Sequence, residues 1–192
     1  MTLVVGLGNI GDKYIQTRHN IGFEVIDFLL KEFDTKEIRN SSFRGELHRD
    51  GDLFFLKPST FMNLSGESIN AVKQFFKIED LIIIHDELDL PFGSLRFKIG
   101  GGTGGHNGLK SLDNFSKENA LRIRMGIGKP EHKDISNYVL SKFNDDEVRC
   151  FEIWIQLSTK AIVEIIKRGS WQKVASQQSK KSAKEFCKDS GQ

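Results

Sequence analysis

The run Leu81-Ile82-Ile83-Ile84 constrains the fold of this chain more than any other stretch. Side chains of a strand point alternately to its two faces, so four consecutive apolar residues need cover on both sides. Leu3 to Leu7 has the same character and runs into glycines, as a central strand feeding a loop does. Sheets with such strands carry helices on both faces, and helical spacing duly lies between the two runs. Ile21, Val25, Phe28 and Leu29 follow Asn20, a residue type suited to capping; Ile69, Val72 and Phe76 follow Ser65 in the same way. Residues 43–49 and 53–57 flank Asp50-Gly51-Asp52, a hairpin signal, and Lys57-Pro58 ends the second strand. Residues 94–99 and 121–127 read as further strands, separated by a glycine-rich loop and a short helix starting near Asn107. A long helix from Asp145 to Arg168 opens on three acids, closes on Lys167-Arg168 and is followed by Gly169. Its expected buried stripe is Val148, Phe151, Ile155, Ile162 and Ile166. The fold class expected is α/β: a single-domain three-layer α/β/α sandwich with a twisted mixed sheet over residues 1–176, then a disordered, polar and basic tail over 177–192.

Composition matters chiefly for what it excludes. A chain of 192 residues buries roughly 70% of its unfolded surface and needs no staples. Its two cysteines, Cys150 in a helical stretch and Cys187 in the tail, supply neither a disulfide framework nor a zinc ligand set, which points to a reducing, cytoplasmic setting. The N-terminus has no basic leader, and nowhere do ~18 apolar residues follow one another, so neither secretion nor a membrane span is expected. No strongly apolar exposed helix asks for a partner, and a monomer is the default. The net charge is only +2, but it is segregated. Residues 79–92 carry five acids and no Lys or Arg, whereas residues 96–133 carry eight Lys or Arg against three acids. Such segregation permits a phosphate-binding face, and ordinary solvated charge accounts for the counts equally well.

Gly6-Leu7-Gly8-Asn9-Ile10-Gly11 matches the glycine pattern of dinucleotide-binding folds. That mechanism needs a helix opening in the loop and an acid ending a second strand ~20 residues on. Here residues 12–20 form a charged loop ahead of the helix, and Glu32 and Asp34 fall at the helix's far end. Gly6 and Gly8 therefore read as turn-formers, with a dinucleotide enzyme as a competing reading.

Chemistry-bearing residues cluster after the strands: His19 and Asn20, Asn63, His85-Asp86 and His106-Asn107. In α/β sheets, ligands gather beyond the carboxyl ends of strands, where residues distant in sequence converge. No serine occupies a Gly-x-Ser-x-Gly elbow and Cys150 lies away from these loops, so a protein nucleophile is not indicated. A histidine and an aspartate remain: a base for water and a carboxylate to fix its tautomer. Asn9, Asn63 and Asn107 offer neutral amides that can orient a peptide or a water. His48 and His132, and more weakly His85, read as ordinary surface or core histidines. Residues 100–108 hold six glycines, a loop that exposes backbone N–H groups, with Lys98 before it and Arg124 on a following strand as phosphate contacts. A flexible loop among unrelated cations is the alternative.

The pieces Val4-Val5-Gly6-Leu7-Gly8-Asn9, Arg18-His19-Asn20-Ile21-Gly22, Lys57 to Gly66, His85-Asp86-Glu87-Leu88-Asp89-Leu90-Pro91, Gly100 to Lys110 and Arg122 to Gly128 resemble, in order and spacing, those of bacterial-type peptidyl-tRNA hydrolases. The resemblance implies hydrolysis of the ester joining a nascent peptide to the 3′ ribose of tRNA, with the tRNA acceptor arm and the peptide as partners and no metal or organic cofactor. It implies His19 as catalytic base and Asp86 as the acid orienting it. Asn9, Asn63 and Asn107 would place peptide and water, Tyr14, Phe61 and Met62 would line the site, and Lys98 and Arg124 would bind tRNA phosphates. A non-catalytic RNA-binding relative on the same scaffold is the main alternative.

Overall fold

In a computed structural model, which describes residues 1–130 and 134–169, the alternating segments build one seven-stranded sheet between helical layers. The strands are β1 (Thr2–Gly6), β2 (Lys36–Ile38), β3 (Gly45–Asp50), β4 (Leu53–Pro58), β5 (Asp80–Glu87), β6 (Leu95–Ile99) and β7 (Leu121–Gly126), in the spatial order β2-β3-β4-β1-β5-β7-β6. Neighbours among β4, β1, β5 and β7 are parallel, and the antiparallel pairings lie at the two sides, β2–β3–β4 and β6–β7. The helices are α1 (Ile21–Leu29), α2 (Ser65–Phe76), α3 (Asn107–Lys110), α4 (Asn114–Asn119), α5 (Ile135–Val139) and α6 (Asp145–Arg168). The expected sandwich and mixed sheet are thus present. His132, the stretch from Trp171 to Ser176 and the tail from residue 177 lie outside the described residues.

Strand alternation divides the core in two. Val4, Ile82 and Ile84 pack with Ile21, Val25, Ile26 and Leu29 of α1 and with Trp154, Ile155 and Ile162 of α6. On the other face Leu3, Val5 and Ile83 pack with Ile69 and Val72 of α2 and with Leu109 beside the glycine-rich loop. The glycines of the first loop serve this packing. A Cβ on Gly6 would lie 2.2 Å from the carbonyl oxygen of Gly22, and one on Gly22 would lie 2.5 Å from the carbonyl oxygen of Leu7. Close approach of α1 to β1 accounts for both.

Several local expectations are corrected. Asn20 precedes α1, but its side chain makes no capping hydrogen bond. Ser65 is the first residue of α2 and donates to the Met62 carbonyl instead of capping from outside. Val148 is 57% exposed and leaves the buried stripe of α6, in which Ile155, Ile162 and Ile166 are buried as expected and Trp154, Ala161 and Ile165 join them. That helix opens with a capping box between Asn144 and Glu147 and ends on Gly169 at φ 64°. Among the described residues no helix is long and apolar enough to cross a membrane.

Candidate active site

The strand ends supply the site. Asp86 is the last but one residue of β5; Asn9 follows β1; Met62 and Asn63 lie in a turn between β4 and α2. His19 sits in a single 3-10 turn, Arg18–Asn20, that leads into α1. The glycine-rich segment returns along the sheet: Gly100 N–H donates to the Ala120 carbonyl just before β7, while His106 reaches Asp86, whose register partner Met125 is near the end of β7. Asn9, Tyr14, His19, Met62, Asn63, Asp86, His106 and Asn107 thereby meet around one cavity of about 1000 Å³.

One carboxylate oxygen organises its floor. His19 Nδ1 and His106 Nε2 each lie 2.8 Å from Asp86 Oδ1, and all three side chains are largely buried. Burial alone would push the Asp86 carboxyl up, but the two imidazoles against it hold it well below the usual carboxylate range. An ionised carboxylate only accepts hydrogen bonds, so each ring nitrogen facing it carries a proton. The tautomer of His106 is fixed independently, because its Nδ1 accepts from the backbone N–H groups of Gly108 at 3.1 Å and Leu109 at 3.4 Å. His19, protonated at Nδ1, keeps the Nε2 lone pair for another partner. The three groups offer a metal ion ligand atoms within 4.8 Å of one another. Ligation through His106 Nε2, however, would drive its proton onto Nδ1, against two N–H groups.

Two buried neighbours support this arrangement. His85 donates from Nδ1 to the Asp86 carbonyl and packs edge-on against the His106 ring. Burial and the adjacent His106 push its imidazole down to about 3, so it stays neutral. Arg18, beside His19, bonds Ser141 Oγ, the Lys142 carbonyl and Glu147, with its guanidinium over the rings of Tyr138 and Phe143. It ties the His19 turn to the segment that carries α5, part of the cavity wall.

The asparagines play different parts. Asn20 grips the backbone of Asn9 from both sides, accepting from its N–H and donating to its carbonyl, each at 2.9 Å. Asn9 Oδ1 accepts from the Met62 N–H at 2.8 Å, which leaves its Nδ2 as the end free to donate. Asn63 and Asn107 are exposed at the cavity. Phe61 is 54% exposed and is not part of the cavity lining. Lys98 is exposed on β6, and Arg124 Nε donates to Glu87 at 2.9 Å; neither lines the cavity. The sequence names His106 and Asn20 among the chemistry-bearing residues but assigns neither a part in the site, reading Asn20 as a helix cap. Both stand in its motifs, but their partners are distant along the chain.

An imidazole bound to a carboxylate, with no hydroxyl or thiol hydrogen-bonded to it among the described residues, is the equipment of a hydrolase that activates water directly. The sequence pattern of the family described as Peptidyl-tRNA hydrolase matches residues 3–185, and this chain belongs to that family. A peptidyl-tRNA hydrolase of a Sulfurovum species is 57% identical over 155 residues, covering 79% of this chain and 82% of the relative. One from Campylobacter lari is 51% identical over 167 residues, covering 87% and 92%. The crystal structure of peptidyl-tRNA hydrolase from Acinetobacter baumannii superposes with a TM-score of 0.86 at 34% identity, over 95% of this chain and 96% of that one.

Proposed function

We propose that this protein hydrolyses the ester between the peptide and the 3′ ribose of peptidyl-tRNA, using a water activated by His19. The observation that carries the proposal is the Asp86 oxygen shared by His19 and His106. It leaves His19 Nε2 as a base and provides a fixed negative charge for the imidazolium formed when that base takes a proton. The resulting hydroxide attacks the ester carbonyl carbon. Donors such as Asn9 Nδ2 stabilise the oxyanion of the tetrahedral adduct. Collapse breaks the bond to the ribose oxygen, which takes the proton back from His19, and the peptide's new carboxylic acid loses its remaining proton to solvent and leaves as a carboxylate. Asn63 and Asn107 orient the peptide and the water, and Tyr14, Met62 and the neighbouring Phe61 flank the bound ester. No metal or organic cofactor enters this scheme. The protein acts as a monomer in the cytoplasm, with peptidyl-tRNA as its partner.

Incubation with N-acetylaminoacyl-tRNA tests the proposal: folded wild-type protein in molar excess should release all of the acyl group, and persistent ester would refute it. Lys98 and Arg124 are the proposed contacts to tRNA phosphates. Alanine at either position is expected to raise KM roughly five- to tenfold with little change in kcat, and to lower the slope of log KM against log salt by about one counterion. A salt-independent loss confined to kcat would contradict their assignment.

A further inference from the structure

Arg122 is a buried cation whose hydrogen bonds all go to carbonyls. It is 3% exposed, and its guanidinium donates to the carbonyl oxygens of Gly101 (2.6 Å), Gly102 and Lys117 (2.8 Å). Among the described residues it forms no ion pair. This grip determines what the glycine-rich loop shows to solvent. In a trans peptide unit the C=O and the following N–H point in opposite directions, and there are no cis peptide bonds among the described residues. With the carbonyls of Gly101 and Gly102 drawn inward to Arg122, the N–H groups of Gly102 and Thr103 point away from the buried guanidinium, toward the exposed side of the loop. Neither N–H donates to any described group.

A cation lies beside them. A Cβ on Gly101 would stand 2.7 Å from Lys98 Nζ, so the ammonium rests against the bare backbone of that glycine, whose φ is 102°. The loop then continues directly into the cavity, which Thr103 lines. Adjacent outward N–H groups next to an ammonium form an anion-binding concavity.

We propose that the N–H groups of Gly102 and Thr103, turned outward by Arg122 and flanked by Lys98, bind a phosphate of the tRNA acceptor strand between the basic strand edge and the catalytic cavity. The proposal rests on the peptidyl-tRNA reading of the site. It adds a backbone subsite to the side-chain contacts, with Arg122 as a positioning residue that never touches the RNA. The subsite reads phosphate and no base, because backbone donors to phosphate carry no sequence information.

Two measurements test it. In amide-resolved NMR of the full chain, titration with a short 5′-phosphorylated oligoribonucleotide ending in CCA should shift the Gly102 and Thr103 N–H resonances downfield. In kinetics with N-acetylaminoacyl-tRNA, Gly102→Pro, which deletes one donor, should raise KM about fivefold with kcat largely retained. Gly102→Ala keeps the N–H and places its methyl in open space, so it should recover most of that affinity. Unmoved amide resonances at saturating oligonucleotide, or equal losses for the proline and alanine variants, would overturn the subsite. Failure of the wild type to cleave the ester would instead refute the catalytic reading, and the titration is independent of that outcome.

Discussion

Replacing His19 by alanine is expected to lower kcat/KM for N-acetylaminoacyl-tRNA by about a thousandfold, with a melting temperature within roughly 5 °C of the wild type. The catalytic loss follows from removing the imidazole that Asp86 holds with its Nε2 left for water; the other imidazole on that oxygen, His106, has both of its nitrogens engaged. The near-normal stability follows from the shared carboxylate oxygen. Without His19, Asp86 still accepts from His106, whose own orientation is held by the Gly108 and Leu109 N–H groups. The buried charge is therefore not orphaned, which is the circumstance that makes such losses severe. Parallel thermal unfolding and single-turnover hydrolysis check both halves. A variant that retains a tenth or more of wild-type activity would exclude His19 as the base.

Asp86→Asn should be nearly as damaging, with kcat falling about a thousandfold or more. The amide is the same size as the carboxylate, but it offers no charge to the imidazolium. It also presents an N–H that opposes the Nδ1–H tautomer of His19. Because two histidines donate to the one oxygen, the substitution disturbs both at once. If His19 and Asp86 act as a unit, adding Asp86→Asn to His19→Ala should cost little beyond the single change. Rates measured for the two single variants and the double variant decide this. Fully multiplicative losses would mean that the carboxylate acts on something other than His19.

The legibility of this molecule in its sequence follows the range of the forces involved. β1, β5, the Asp-Gly hairpin and the ends of α6 are set by local patterning, and each stands where the residues place it. The polar edge strand Lys36–Ile38 has no such pattern, since its pairing with β3 defines it. Val148 keeps the helical spacing of the α6 stripe but lies in the first turn, where no sheet or helix covers it. At the site, His19 and Asp86 are visible as residue types suited to water activation. Their 2.8 Å contact across 67 positions is a product of the fold. Asn20 shows the same limit: its position suggests a cap, yet its amide is spent on the backbone of Asn9. His106 follows a conspicuous glycine loop, and only the return of that loop along the sheet brings it to the oxygen that His19 uses.

Nitrogen NMR of the histidine side chains, recorded where the rings are neutral, tests the central claim most directly. We predict that His19 carries its proton on Nδ1, shared with Asp86, and leaves Nε2 bare toward the cavity, while His106 shows the opposite tautomer. A neutral His19 protonated at Nε2 would have no lone pair for water, and the mechanism would fail.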